Sequence, residues 1–275
     1  MIAAAVVGPA VLLAGLIWAS ERDVHPPADR SDVLRVGVVQ GQSVPGYLRS
    51  SRTELAALTS PSAPVTGDTW ALVSLGRYLP PGALPKLLSG AEVAEIYTRV
   101  PLAGAHTQVV RIRVHRLPAD AMSGMLDAAV DRERERAEYL KLGHRVRNQG
   151  EPQERARRAY ETAAGIAGTE AAAYRSGCSC VFAAVVRAAP AALQGLARRP
   201  GVRVVDPAPE VDRLDRTEFR PPLPEQTGTV PAEPSREPAV PNEDSGIASH
   251  ASAPIMSSFG VPVRSISAGS ADNDP

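Results

Sequence analysis

The chain has 275 residues, a formal net charge of zero and 4% aromatic residues. This length suffices for one ordinary domain with appendages or for two small domains. The balanced charge argues against the global positive field of nucleic-acid-binding proteins, so no nucleic acid is expected as a partner. Because aromatic residues are few, valine, leucine and alanine must supply most of the core.

The first predicted element is an apolar segment at residues 2–19, which carries no charged side chain. A helix of this length spans about 27 Å, which matches the hydrocarbon core of a bilayer. We interpret residues 1–20 as a transmembrane helix that acts as an uncleaved signal anchor. A cleaved signal peptide and a buried helix are the alternatives. The anchor predicts a single-pass cell-membrane protein whose carboxyl-terminal domain is extracytoplasmic.

Residues 21–68 follow as a polar spacer that contains a short strand at 34–39 and a helix at 51–58. The compact domain is predicted at residues 69–212. It opens with a strand at 70–79, a short helix after Pro81 and a second strand at 93–100. Beyond residue 213 the chain becomes rich in proline and serine, and we predict a disordered tail over 213–275.

Residues 108–117 alternate between apolar and polar side chains, which is typical of a half-buried strand in an antiparallel pair. The polar face carries Arg111, Arg113 and His115. These side chains form a candidate partner-binding face for an anionic glycan or lipid headgroup, and an ordinary solvated face is the alternative.

Two long helical patterns predict a helical hairpin over 119–175, with a turn near 148–152. The charge run in the middle of the first helix indicates a solvated face with i,i+3 and i,i+4 ion pairs. Its apolar residues fall on one broad stripe, which consists of Met122, Met125, Leu126, Ala129, Val130, Ala137 and Leu140.

An internal repeat sets the predicted topology. When Pro81 is aligned with Pro190, leucines and a valine coincide at three further positions without a gap: Leu84 with Leu193, Leu87 with Leu196, and Val93 with Val202. Each copy reads as strand, short helix and strand. Two such βαβ units can share one sheet. We therefore predict an α+β, ferredoxin-like sandwich built from two βαβ units with the long helical hairpin inserted between them.

The two cysteines, Cys178 and Cys180, are separated by one residue and start a predicted strand at 178–189. Side chains two apart in a strand point to the same face, with Cα atoms about 6.5 Å apart. This separation is near the upper limit for a disulfide. A disulfide, a pair of buried thiols, and a metal or redox role all remain open.

The second repeat copy resembles the end of the subtilase propeptide and inhibitor family. The matching residues are Val185, Val186, Leu193, Leu196, Pro200, Gly201, Val202, Val205, Asp206 and Pro207. The resemblance implies a ferredoxin-like fold whose last strand leads into a tail that lies along a protease's substrate groove. The whole chain is also similar to actinobacterial-type single-pass envelope proteins of unknown function, and this similarity implies no activity.

The sequence holds no nucleophile motif, metal-ligand spacing or glycine-rich phosphate loop. We therefore expect no enzyme activity, cofactor or metal. The expected function is that of a membrane-anchored extracytoplasmic interaction module that binds another envelope protein. A propeptide-like inhibitor or chaperone of a subtilisin-type serine protease is the alternative. The candidate partner-binding segment is Val205, Asp206 and Pro207, where the last strand ends.

Overall fold

A computed structural model of the protein describes residues 33–63, 67–146 and 150–230, together with the backbone of 264–266. The fold is mixed α+β. The strands are β1 (Leu34–Gly37), β2 (Thr69–Leu79), β3 (Glu92–Thr98), β4 (Val110–Arg113), β5 (Val181–Ala188), β6 (Val202–Ala208), β7 (Thr217–Arg220) and β8 (Arg264–Ile266). The helices are α1 (Val44–Leu58), α2 (Leu84–Leu87), α3 (Ala119–Arg145), α4 (Glu151–Arg175) and α5 (Pro190–Ala197).

The main sheet has six strands in the order β6-β2-β5-β3-β4-β8. β2 pairs antiparallel with β5 and β6, and β3 pairs antiparallel with β4 and β5. The backbone of β8 pairs parallel with β4. β1 and β7 form a separate two-stranded parallel sheet. Since β5 lies at the centre, its apolar residues are buried on both faces of the sheet.

Alternate residues of β2 divide the core into two layers. Ala71 and Val73 face the helices, where leucines of α2 and α5 and small residues of α3 cover them. Leu72 faces the opposite side, where it packs in a cluster with Val36 of β1 and Phe219 of β7. The small parallel sheet therefore covers the face of the main sheet that the helices leave open.

The structure corrects the predicted boundaries of the compact domain. β1 and α1 lie in the region predicted as a spacer, and α1 begins seven residues before the predicted helix start. β7 lies in the region predicted as a disordered tail, and the backbone from Gly228 to Val230 bonds to residues 41–44. Residues 33–63 and 213–230 are thus parts of the fold, because they pack on an open sheet face and a sheet edge.

The predicted transmembrane helix is not supported, and the membrane assignment is withdrawn. Among the helices in the described ranges, none has both the length and the apolar character that a bilayer crossing requires. The longest, α3 and α4, carry many charged side chains. The segment that we interpreted as the anchor, residues 1–20, lies outside the described residues.

Helices α3 and α4 confirm the predicted hairpin, and their bounds lie within one residue of the prediction. The predicted apolar stripe on α3 is wrong in part. Met125 and Ala129 are buried, but Met122, Leu126 and Val130 are more than half exposed. The reason is that small residues make the close contact with the sheet: Gly124 lies directly against Ile112 of β4.

Gly124 supplies a test of this close packing. A Cβ atom at position 124 would lie 2.3 Å from the Cγ2 atom of Ile112, so Gly124→Ala forces the helix or the strand to shift. We expect the free energy of unfolding to fall by about 1–3 kcal/mol in urea denaturation.

Gly165 on α4 is the matched control, because its Cβ would meet nothing within 4 Å. Gly165→Ala should raise stability by up to about 1 kcal/mol. Equal effects of the two substitutions would contradict the predicted packing of α3.

Candidate functional site

Helix α1 covers the outer edge of β6, where the main sheet would otherwise expose unpaired backbone groups. The helix starts at Ser43, whose Oγ atom accepts a hydrogen bond from the backbone N–H of Gly46 at 3.4 Å. Pro45 occupies its first turn, where a missing N–H has no cost. Two grooves lie along the contact between α1 and β6.

A buried polar pair lies between the two grooves. Asp206 of β6 is 7% exposed, and its Oδ2 atom accepts a hydrogen bond from the hydroxyl of Tyr47 at 3.0 Å. Burial raises the pKa of Asp206 from 3.8 to about 6, although the hydrogen bonds from Tyr47 and Ser51 favour the charged form. Burial and the nearby Asp206 carboxylate also raise the pKa of Tyr47. This pair fixes α1 against the strand.

The first groove, which we call the acidic groove, has a volume of about 390 Å³. Its floor is apolar and is formed by the last turn of α1, the loop after it and the end of β6: Ala57, Leu58, Ala63, Pro207 and Pro209. The carboxylates of Glu54 and Glu210 complete the lining. Neither carboxylate has an ion-pair partner within the described ranges.

The second groove, which we call the basic groove, has a volume of about 240 Å³ and lies between α1, α5 and the start of β6. Three arginines, Arg52, Arg198 and Arg203, line it together with Gln194 and apolar side chains that include Val204 and Val205. The guanidinium group of Arg203 donates to the carbonyl oxygens of Leu223 and Gln226 at 3.0 and 2.6 Å. In the part of the chain that the structure describes, no carboxylate pairs with any of the three.

The predicted segment 205–207 therefore lies where the two grooves meet. Val205 is buried and borders the basic groove, Asp206 is buried between the grooves, and Pro207 lines the acidic groove. Sequence reasoning missed the contribution of α1, since we assigned its residues to a spacer. The capping signal at Ser43 and Pro45 is the pattern that indicates the earlier start of the helix.

The other predicted face lies near the opposite edge of the sheet, on and just after β4. Val110, Ile112 and Val114 are buried as predicted. Arg111 and Arg113 lie at ion-pair distances of 3.7 and 4.0 Å from the Oε1 atom of Glu95 on β3. Glu95 is nearly fully buried, and burial raises its pKa although both arginines oppose this shift.

His115 lies two residues beyond the end of β4 and is exposed. It is therefore not part of the strand face that carries the two arginines. Its backbone N–H donates to the Oδ2 atom of Asp120 at 2.7 Å, as does that of Arg116. These two hydrogen bonds lower the pKa of Asp120. The backbone at His115 thus turns into α3, and β4 ends at Arg113 rather than at the predicted residue 117.

Cys178 and Cys180 are joined by a disulfide, with their Cα atoms 5.3 Å apart. They lie in the turn between α4 and β5 rather than in the predicted strand, which starts at Val181. Cys180 is fully buried, and its backbone bonds to Leu79 of β2 and to Arg99 beyond β3. The disulfide therefore lies where the hairpin enters the sheet.

An ion pair that the sequence did not indicate, between buried Arg99 and half-exposed Glu225, ties the segment after β7 to the sheet. Arg99 is 8% exposed and donates through Nη1 to a carboxylate oxygen of Glu225. The hydroxyl of Tyr78 donates to the same carboxylate at 3.0 Å, and Arg99 Nε donates to Thr107 at 3.0 Å. Partial burial raises the pKa of Glu225, but its hydrogen bonds and Arg99 outweigh this effect and lower it.

Comparison with known proteins adds no assignment, because no family model, curated protein or solved structure matches the chain significantly. In the described ranges, no group of three or more His, Cys, Asp or Glu side chains could hold a metal ion. The features of the site that remain are the two grooves of opposite charge and the buried polar pair between them.

The raised pKa of Asp206 predicts a specific pH dependence. Because the folded state binds this proton more tightly than the unfolded chain, Asp206 favours folding below about pH 4, and this contribution is lost as pH rises to about 6. Relative to Asp206→Asn, the free energy of unfolding of the wild type should fall by on the order of 2–3 kcal/mol between pH 4 and pH 7.

Urea denaturation of both proteins at the two pH values measures this difference, and subtraction removes the contributions of the other carboxylates. Tyr47→Phe is the informative companion variant, because it removes a hydrogen bond that favours ionised Asp206. Its fall should be larger than that of the wild type. A difference that does not change with pH would show that Asp206 is solvated.

Proposed function

We propose that the protein is an extracytoplasmic interaction module that binds a segment of another envelope protein in the acidic groove. The observation that carries this proposal is the groove itself, which has an apolar floor and, beside Pro207, two carboxylates without an ion-pair partner among the described residues. Its volume of about 390 Å³ falls in the range of ordinary ligand sites. Charge complementarity defines the occupant: an apolar side chain flanked by lysine or arginine.

The local electrostatics favour a cationic occupant. The charges of Glu54 and Glu210 both contribute to raising the pKa of buried Asp206, so like charges lie close together at this end of β6. A lysine or arginine in the groove would reduce their mutual repulsion. The side chains of the floor belong to α1, the loop after it and the β6 end, and the Tyr47–Asp206 hydrogen bond holds two of these elements in register.

A binding role is proposed rather than a catalytic one because the buried ionisable groups are engaged in structural contacts. Asp206 bonds Tyr47, Glu95 pairs with two arginines, and Glu170 pairs with Arg132 at 4.0 Å inside the helical hairpin. None of these carboxylates lines the acidic groove. Among the described residues, the groove thus offers contact surface and two carboxylates, and its lining holds no serine, threonine, cysteine or histidine.

The disulfide supports an extracytoplasmic location, because such bonds persist in oxidising compartments and are rare in the cytosol. Another envelope protein is therefore the partner class that we propose. This location does not depend on a membrane-spanning helix, which we do not propose.

We further propose the ferredoxin-like assignment for the core of the sheet. The order β6-β2-β5-β3 supports it, since β2–α2–β3 and β5–α5–β6 are two interleaved βαβ units. In the aligned repeat, Leu84 and Leu193 are both fully buried. The later positions differ: Leu196 is buried in the second copy, but Leu88 rather than Leu87 takes this place in the first. The first copy begins with a 3₁₀ turn, which changes the phase of its helix.

The alternative, a propeptide-like protease inhibitor, requires a free tail after the last strand of the sheet. Here the chain after β6 returns to the domain, where Thr217–Arg220 pairs with β1 and Glu225 pairs with Arg99. This return favours the groove over the tail as the contact surface.

A peptide-display selection on the intact, non-reduced chain tests the proposal. Enriched peptides should combine an apolar residue with neighbouring lysine or arginine. Their affinity for Glu54→Gln/Glu210→Gln should fall about five- to twentyfold, since each exposed ion pair contributes up to about 1 kcal/mol. Ala57→Trp, which fills the groove from an exposed position, should abolish binding.

Matched controls lie on α3, away from the groove. Glu138→Gln and Ala137→Trp change exposed side chains of the same kinds and should leave binding unchanged. Peptides without basic residues, or peptides that bind equally to wild type and groove variants, would refute the proposed function.

A further inference from the structure

The basic groove is separate from the acidic groove, and its three arginines favour an anionic occupant. Arg52 and Arg203 lie close enough that the charge of Arg52 lowers the pKa of Arg203, with burial as the larger cause. An Nη2 atom of Arg52 lies 3.5 Å from the backbone oxygen of Arg203. Since no carboxylate in the described ranges pairs with Arg52, Arg198 or Arg203, their mutual repulsion is not neutralised by the part of the fold described here.

The chain itself leads to this groove. Val230, the last residue of the range 150–230, exchanges backbone hydrogen bonds with Gly41 and Gln42 just before α1. Its side chain packs against the cluster that contains Val204, and Val204 lines the basic groove. The preceding residues Leu223 and Gln226 already bind the guanidinium group of Arg203 through their carbonyl oxygens.

The residues that follow have the complementary charge. Residues 231–244 contain four carboxylates, Glu233, Glu237, Glu243 and Asp244, against one cation, Arg236. Four prolines in the same stretch favour an extended backbone, which reduces the entropy lost on docking.

The distance is compatible with direct docking. From Ser43, beside Thr229, to Arg52 is nine residues along α1, or about 14 Å of helix. Five extended residues cover about 16 Å at about 3.1 Å each. Glu233, four residues after Thr229, reaches about 12 Å along this path, so its side chain is the first carboxylate that can meet Arg52.

We propose that the acidic, proline-rich segment 231–244 of this chain docks in the basic groove, with Glu233 and Glu237 paired to Arg52 and Arg198. The contact continues the path of Leu223 and Gln226, whose carbonyl oxygens already accept hydrogen bonds from Arg203. It covers the groove between α1 and α5. It is independent of the proposed function, because the acidic groove lies at the other end of β6 and uses different side chains.

Trypsin supplies the test, because Arg236 lies inside the proposed contact. The rate of cleavage after Arg236 in the intact chain is measured by mass spectrometry and normalised to cleavage after exposed Arg145. Arg52→Gln/Arg198→Gln should accelerate cleavage up to about fivefold for each lost pair. The rate for Glu233→Gln/Glu237→Gln is normalised to a free peptide of residues 229–244 with the same substitutions, because Glu237 directly follows the scissile bond. It should then show the same acceleration, and the quadruple variant, normalised in the same way, should show no further acceleration because the groups act in pairs.

Arg49→Gln is the matched control, since Arg49 is exposed on α1 and does not line the groove. In the wild type, about 1 M salt should accelerate cleavage as the arginine variants do, because the screening length falls to about 3 Å. This arm needs no substitution and so does not depend on a variant's folding. Cleavage that is equally fast in wild type and variants, insensitive to salt, or additive in the quadruple variant would overturn the proposal. An acidic segment of another protein as the occupant would give the first of these results.

Discussion

The ion pair between buried Arg99 and half-exposed Glu225 ties the return segment, residues 217–230, to the main sheet. Arg99 follows β3 and is almost fully buried, so its charge requires a carboxylate. Glu225 supplies it from a segment that begins after β7. The hydroxyl of Tyr78 also donates to the Glu225 carboxylate, and Nε of Arg99 donates to the hydroxyl of Thr107. Because this carboxylate comes from 126 residues away, the pair holds the return segment across the sheet.

The return segment in turn determines the surfaces available for binding. Its strand β7 pairs with β1 over the second face of the sheet, and its last residues bond to the start of α1. Helix α1 is thereby held against β6, where Tyr47 reaches Asp206. The two grooves exist because α1 is fixed in this position. The acidic groove then suits a cationic partner, and the basic groove suits the acidic continuation of the chain.

Local pattern predicted those elements whose partners are close in sequence. The alternation in residues 108–117 predicted the buried face of β4, although not its end at Arg113, and the periodicity of the hairpin predicted both helices, because each residue's environment repeats at a fixed period. The burial of Leu84 and Leu193 followed from the same kind of pattern. The exposure of Met122, Leu126 and Val130 did not, because α3 contacts the sheet through Gly124 and alanines, and periodicity alone does not say which side of a broad stripe meets a neighbour.

Contacts between distant segments could not be predicted from one sequence. β1 and β7 pair across about 180 residues, and each is a four-residue strand with little signal of its own. Composition suggested a disordered tail from residue 213, but the backbone of residues 217–220 and 228–230 finds partners that composition does not encode. The candidate site was found in part: Pro207 and Val205 border the grooves, whereas Arg52 and Glu54 belong to a helix that we had assigned to a spacer.

Hydrogen exchange of three backbone amides tests the central claim that the return segment is part of the fold. The N–H groups of Val38, Val44 and Val230 donate to Arg220, Gly228 and Gln42 at 2.9, 2.9 and 3.0 Å, and these bonds exist only if the segment is docked. We predict that all three amides are protected in the wild type, and that Glu225→Gln lowers their protection while the amides of β5 stay protected. Exchange of the three amides at the rates of an unfolded chain in the wild type would contradict the account.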